Sequence, residues 1–314
     1  MSSRIKYSTK MRRLFITLTL ILGASLGLSQ TDYRDRFEAA WRLVNDRYWN
    51  LEEQDIDWDQ IRKLYSAKAL EATNETSFYT ILENMYLELG DNHSIFVPPN
   101  RLEAFSSTYG DLPCIGIFMQ ADKMPDTIHF ELMLNGLGYI KLPELASKNV
   151  AKHVRQAVRM LVEQEATGIV LDLRGNPGGR LLAMMQVAGI FTRGFLWRTI
   201  TNWTLPIPYP ALGVIETKLP LAILIDSDVH SAAEGLAGAL QNTGRATLIG
   251  EKTAGNVEAI LPFCFPDGSQ AWIATGVLAP IVGATWEGRG VIPDINTHPS
   301  DTLTTALRLL TTPR

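Results

Sequence analysis

Four short segments of this chain carry residues whose types could do chemistry together. The first is Asp226 to Gly235, DSDVHSAAEG, between the apolar run Leu221 to Ile225 and an Ala-rich stretch. Ser231 therefore falls at a strand-to-helix junction, where backbone N–H groups are unpaired and the helix dipole is positive. An oxyanion forming beside a serine would be stabilised there. Serine is also an ordinary helix N-cap, so the segment alone does not establish a nucleophile. The second is Asp172 to Gly179, DLRGNPGG, after the strand-like GIVL. Gly175, Gly178 and Gly179 admit conformations that other residues resist, and successive N–H groups in such a turn make an anion-binding nest. An ordinary tight turn has the same composition. The third is GDNHS at residues 90–94, where His93 could serve as a general base near neutral pH. His230 adjoins Ser231, but neighbouring side chains at such a junction diverge. The fourth is WEGRGVIPD at residues 286–294, where the Glu287 carboxylate could orient and stabilise an imidazolium.

Other chemistries find no support in the residues. No serine lies in a G-x-S-x-G elbow. Gly250-Glu251-Lys252-Thr253 has the wrong spacing from Gly244 for a phosphate loop. There is no H-E-x-x-H and no paired Cys/His cluster, so neither a metal nor a cofactor is expected. Asn74, Asn92 and Asn202 match the glycosylation sequon, and a glycan on Asn92 would crowd His93.

The elements that must position these groups are legible from periodicity. Phe37, Trp41, Leu43, Val44 and Tyr48 recur at helical spacing, as do Trp58, Ile61, Leu64 and Tyr65, and then Phe78, Ile81, Leu82, Met85 and Leu89. These stripes predict a helical N-terminal domain over residues 30–100. Residues 101–135 read as a linker, with a strand at 114–119. From there the texture is mixed α/β through residue 314. Strands are expected at 127–133, 138–142, 168–171, 221–225, 246–250, 258–265 and 270–279, with helices at about 147–165, 180–192 and 231–243. Strands that end in a polar loop and a helix argue for parallel pairing through crossovers.

Residues 1–29 stand apart. Arg4, Lys6, Lys10, Arg12 and Arg13 precede an apolar stretch from Leu14 to Leu28, and Gly27-Leu28-Ser29 places small residues before Gln30. That is the layout of a secretory signal peptide cleaved after Ser29, too short for the ~20 residues of a membrane span. Its loss takes five basic residues and no acidic one, so the net charge moves from −4 to −9. The expected protein is exported to the periplasm or the medium and keeps no stable membrane span. No like-charged run suggests a nucleic-acid surface. Cys114 and Cys264 lie in apolar contexts, LPCIGIF and LPFCFPD, and read as two buried thiols, with a disulfide open to an exported chain.

In order, GDNHS, GIVLDLRGNPGG, SAAEGLAGALQNTGRATLIGEKTAGN and EGRGVIPD resemble the tail-specific (C-terminal processing) and tricorn-core serine peptidases, over about residues 37 to 295. The resemblance implies a crotonase/ClpP-like β-α core at residues 136–314 behind the helical domain. One catalytic style of that family pairs the serine with a lysine 25 positions later, and here that position is Asn256. Lys252 is four residues early. The tricorn-like style uses serine, histidine and glutamate, and the matching positions are Ser231, His93 and Glu287. Asn92 would support the histidine, and the amides of Gly178 and Ala232 would form the oxyanion hole. Many members carry a PDZ domain between the histidine loop and the core. Only about 40 residues separate Ser94 from Asn135, so residues 101–135 hold a remnant at most.

The implied function is cofactor-free peptide-bond hydrolysis of peptides or unfolded proteins by a serine endopeptidase. A catalytically silent peptide-binding protein on the same scaffold is the rival reading, favoured by the missing lysine and opposed by His93 and Glu287. The oligomeric state stays open, a homo-oligomer included.

Overall fold

Apolar residues at three- and four-residue spacing fold the N-terminal part into α1 (Tyr33–Arg47), α2 (Trp58–Leu70) and α3 (Glu75–Leu87). The computed structural model describes residues 33–52, 55–91, 93–104 and 128–312. Asp57 caps α2 through the Gln60 amide at 2.8 Å. Asn74 and Ser77 form a reciprocal capping box on α3, so this sequon asparagine serves as a helix cap. The Nε1 groups of Trp41 and Trp58 each donate to the other's carbonyl oxygen, at 2.9 and 3.0 Å. Phe37, Val44, Tyr48, Phe78, Met85 and Tyr86 fill the resulting core. Of the predicted stripes, Leu64 departs: it is 51% exposed.

The remainder is mixed α/β, as the sequence implies. A parallel sheet runs in the order β11 (Ile295–Asn296), β8 (Thr247–Gly250), β7 (Leu221–Ile225), β4 (Gly168–Asp172), β3 (Leu137–Lys141), with β2 (His129–Leu132) antiparallel on its edge. Alternate residues of β4 and β7 face opposite sides. Ile169, Leu171, Ile223 and Ile225 pack with α4 (Val150–Glu163), α5 (Leu181–Phe191) and α6 (Ser231–Asn242). Val170, Ala222 and Leu224 pack with Ala306 of α7 (Thr302–Thr311). Both faces are covered, which is why these strands read as unbroken apolar runs.

A second, antiparallel sheet joins the two halves of the chain. The long β10 (Gln270–Pro280) pairs with β1 (Ile95–Val97), β5 (Gly194–Ile200) and β9 (Glu258–Cys264), and β6 (Ile207–Ala211) pairs with β5. Ala271, Ile273 and Ala274 of β10 lie in the same core as the N-terminal helices. Neither β5 nor β6 is expected from sequence, because β5 shows no alternation, Pro206 precedes β6 and Pro208 and Pro210 punctuate it.

Several expectations meet the structure differently or fall outside it. Cys264 is disulfide-bonded and lies on an exposed position of β9, not a buried thiol. The chain's other cysteine, Cys114, and the strand expected at 114–119 lie outside the described residues, as do Asn92 and the leader at 1–29. Among the described residues no helix is long and apolar enough to cross a membrane.

Candidate active site

Ser231 opens α6 with φ at +52°, in the left-handed region that non-glycine residues rarely occupy. Its N–H donates to the Asn256 carbonyl at 2.8 Å and to Glu234 Oε2 at 3.1 Å. Its hydroxyl has no partner among the described residues. The turn rests on Gly178, where an added Cβ would lie 2.7 Å from the Ser231 Cβ and 3.0 Å from the Ala232 nitrogen. The nest and the serine turn, separated by more than 50 residues of sequence, are thus in van der Waals contact. The Ala232 N–H has no backbone acceptor among the described residues. The Gly178 N–H instead donates to Asn176 Oδ1 at 2.8 Å, within its own turn. Asn176 is fully buried, and its Nδ2 donates to the Leu142 carbonyl.

The base of the nest is built from charge. Asp172, 1% exposed, accepts from Tyr139 at 2.7 Å, Lys141 at 3.3 Å and Arg174 at 2.7 and 3.0 Å. Burial alone would raise this carboxyl, but these donors bring it below the ordinary aspartate value.

Glu234 lies three residues into α6 and is completely buried. Its carboxylate accepts from Thr253 Oγ1 at 2.6 Å and from the amides of Gly255, at 2.7 Å, and Asn256, at 2.9 Å, besides that of Ser231. One carboxylate thereby ties the serine turn to residues 253–256. That loop also binds the Glu287 segment: Gly288 N–H donates to the Gly255 carbonyl, and Val257 N–H to Glu287 Oε2 at 2.7 Å. Asn256, where the resemblance looks for lysine, has its Oδ1 buried without a hydrogen-bond partner among the described residues. Lys252 is exposed.

His93 stands on a turn held by Asp91, whose Oδ1 accepts from the amides of His93 at 2.8 Å and Ser94 at 2.5 Å. Ser94 Oγ accepts from the Ala274 amide, which fixes the turn to β10. The imidazole Nδ1 meets Glu258 Oε2 at 2.6 Å. Burial would depress His93, but the Glu258 carboxylate, then Asp91 and Glu287, raise it above the ordinary histidine value. Glu287 is pushed up to about 7, by burial first and by the neighbouring Glu258 and Glu234 carboxylates, against the Val257 amide and His93. The structure thus brings His93 and Glu287 into one electrostatic neighbourhood, and their partners Glu258 and Val257 lie two and one residues beyond Asn256, whose carbonyl binds Ser231. No hydrogen bond joins His93 to Ser231 among the described residues. Such bonds are often long without substrate and tighten in the complex.

Sequence reasoning did not find Glu258, Glu234 or Asp91. An Asp two residues ahead of a histidine is a readable Asx-turn signal. Glu258 sits 165 positions from His93 in a strand with no local motif. Among the described residues no group of His, Cys, Asp and Glu is arranged to hold a metal ion.

Comparison with known proteins matches residues 136–297, just over half of the chain, to the peptidase family S41. The chain belongs to peptidase family S41. Residues 29–86 of this S41 chain also match the tricorn protease C1 domain. It is 42% identical over 120 residues to a carboxyl-terminal-processing protease of Synechocystis sp., covering 38% of this chain and 28% of that protein. It is 34% identical over 159 residues to one of Picosynechococcus sp., covering 50% and 38%. The S41 chain therefore aligns with well under half the length of these curated relatives. Among solved structures, a photosystem II D1 C-terminal processing protease superposes with a TM-score of 0.70 at 21% identity, covering 90% of this chain and 98% of that one. At that identity the likeness speaks for the fold.

Proposed function

We propose that this S41 chain is a serine endopeptidase that cleaves exported peptides or unfolded proteins. The observation that carries the reading is the Ser231 turn, held at positive φ on a helix N-terminus and seated against the glycine nest beside a free Ala232 N–H. Relatives that bear the name of carboxyl-terminal-processing protease support the same reaction class. Ser231 Oγ attacks the scissile carbonyl. With Nδ1 occupied by a carboxylate, His93 has Nε2 available to take the serine proton and later deliver it to the leaving amine. The tetrahedral oxyanion lies at the Ala232 N–H, with the Gly178 N–H as a second donor that it shares with Asn176. Glu287 completes the group by adding negative field to the imidazolium that forms. No cofactor takes part. Asn92 lies outside the described residues and is assigned the supporting role that the resemblance implies.

The basic-then-apolar leader at residues 1–29 supports export. The experiment is labelling with a fluorophosphonate probe together with cleavage of an unfolded protein. Wild-type chain should be labelled at Ser231, and Ser231→Ala should lose labelling and cleavage while keeping its melting temperature. A folded wild-type chain that neither labels nor cleaves would favour the silent peptide binder.

A further inference from the structure

Among the described residues Glu258 is the one acidic side chain bonded to the His93 imidazole, and no motif announced it. The side chain opens β9 and is 5% exposed. Both of its oxygens are engaged. Oε2 meets His93 Nδ1 at 2.6 Å, and Oε1 accepts from Trp49 Nε1 at 2.8 Å. Trp49 follows α1, and its backbone N–H donates to the Ala274 carbonyl of β10 at 3.1 Å. The Ala274 amide in turn donates to Ser94 Oγ, one residue beyond His93. The contacts close a ring that runs from the histidine turn through β10 and Trp49 to Glu258 and back to the imidazole. Glu287 differs: its Oε2 accepts from the Val257 amide, and among the described residues no hydrogen bond joins it to His93.

We propose that Glu258 is the positioning carboxylate of His93, with Trp49 as the clamp that holds Glu258 in place. A nitrogen that faces a carboxylate at this distance carries the proton, so Glu258 fixes the tautomer with hydrogen on Nδ1 and the lone pair on Nε2. Glu258 also stabilises the imidazolium that forms when His93 takes a proton. The Trp49 bond leaves the carboxylate a single orientation and prevents it from turning to solvent. The proposal rests on His93 being the base, and it assigns to Glu258 the direct contact that the resemblance implies for Glu287. The charged groups that face His93 are Glu258 from β9, Asp91 from its own turn and Glu287 from the 286–290 loop, with Glu234 facing Glu287 from α6.

The test separates this assignment from the nucleophile reading. His93 is titrated by NMR in the Ser231→Ala chain, so the readout does not require activity. Glu258→Gln removes the adjacent negative charge. The His93 midpoint should then fall, and the Nδ1 proton signal should broaden or vanish. Glu287→Gln should move the midpoint less, and Trp49→Phe should move it in the same direction as Glu258→Gln by a smaller amount. In the active chain, Glu258→Gln should lower kcat at least about tenfold, toward the ~10⁴ of a triad carboxylate exchanged for amide. KM should stay within about twofold, the acid limb of kcat/KM should move to lower pH, and Glu258→Asp should restore part of the rate. A His93 midpoint that follows Glu287→Gln and ignores Glu258→Gln and Trp49→Phe overturns the proposal. Loss of Ser231 labelling alone would leave the titration result standing.

Discussion

Ser231 carries backbone strain of about 1–3 kcal/mol, which persists only because its surroundings over-determine it. Gly178 is the surroundings' tightest element. Its own φ is +92°, and a methyl group there would press on the serine Cβ, the His230 carbonyl and the Ala232 nitrogen. Gly178→Ala should therefore reduce the cleavage rate by about 10²–10³, the loss typical of one oxyanion donor, and should also lower fluorophosphonate labelling. An unchanged rate with a correctly folded chain would separate the nest from catalysis. Glu287, pushed up to about 7, sits near its midpoint at pH 7. His93, raised above the ordinary histidine value, is charged and paired below about 6.5, and that pairing fades as pH climbs through its folded value. Base catalysis needs the neutral ring, so activity should rise with pH through the same interval.

At the scale of elements, the loop over residues 253–256 joins the serine helix to β9. Glu234 is the joint. Glu234→Gln would set an amide donor among four groups that themselves donate, and at least one would lose its partner at about 1–3 kcal/mol. Urea unfolding should shift to a lower midpoint, and the remaining folded enzyme should be slower, with KM little changed. The parallel strands were legible because burial on both faces leaves apolar runs such as Gly168 to Leu171 and Leu221 to Ile225. The helical stripes were legible because a one-sided core imposes a 3.6-residue period. The elements that escaped are those whose partners lie far away. β5 answers to β10 some 80 residues later, β6 is written in prolines, and Glu258 has meaning only once the topology delivers His93 to it. The candidate serine and its nest were readable from four motifs in family order, no one of which sufficed alone, whereas the side chain on the histidine had no motif.

On the scale of the whole molecule, the N-terminal helices and the sheet that carries Glu258 share a single core. Phe78, fully buried in the helical stripe, stacks on Tyr33 at 4.5 Å, and the same cluster includes Ala271, Ile273 and Ala274 of β10. Phe78→Ala should cost about 3–5 kcal/mol. Because the His93 turn and Trp49 both hang on β10, the variant should lose activity in parallel with its tryptophan fluorescence transition. Activity that survives after that transition would show the helices to be separable from catalysis.

The two prolines of β6, with Pro206 just before it, have a consequence for how such a molecule meets unfolded chains. Proline has no N–H, so Pro208 and Pro210 must turn their nitrogens away from β5, and Pro206 continues the same parity. The outer rim of the antiparallel sheet thus offers a visiting strand no donor at residues 206, 208 and 210. A protein that works among extended, sticky polypeptides would foul quickly if its own rim could zip onto them. At these positions the rim offers a visiting strand carbonyl acceptors without the matching donors, which a regular antiparallel ladder needs at alternate residues.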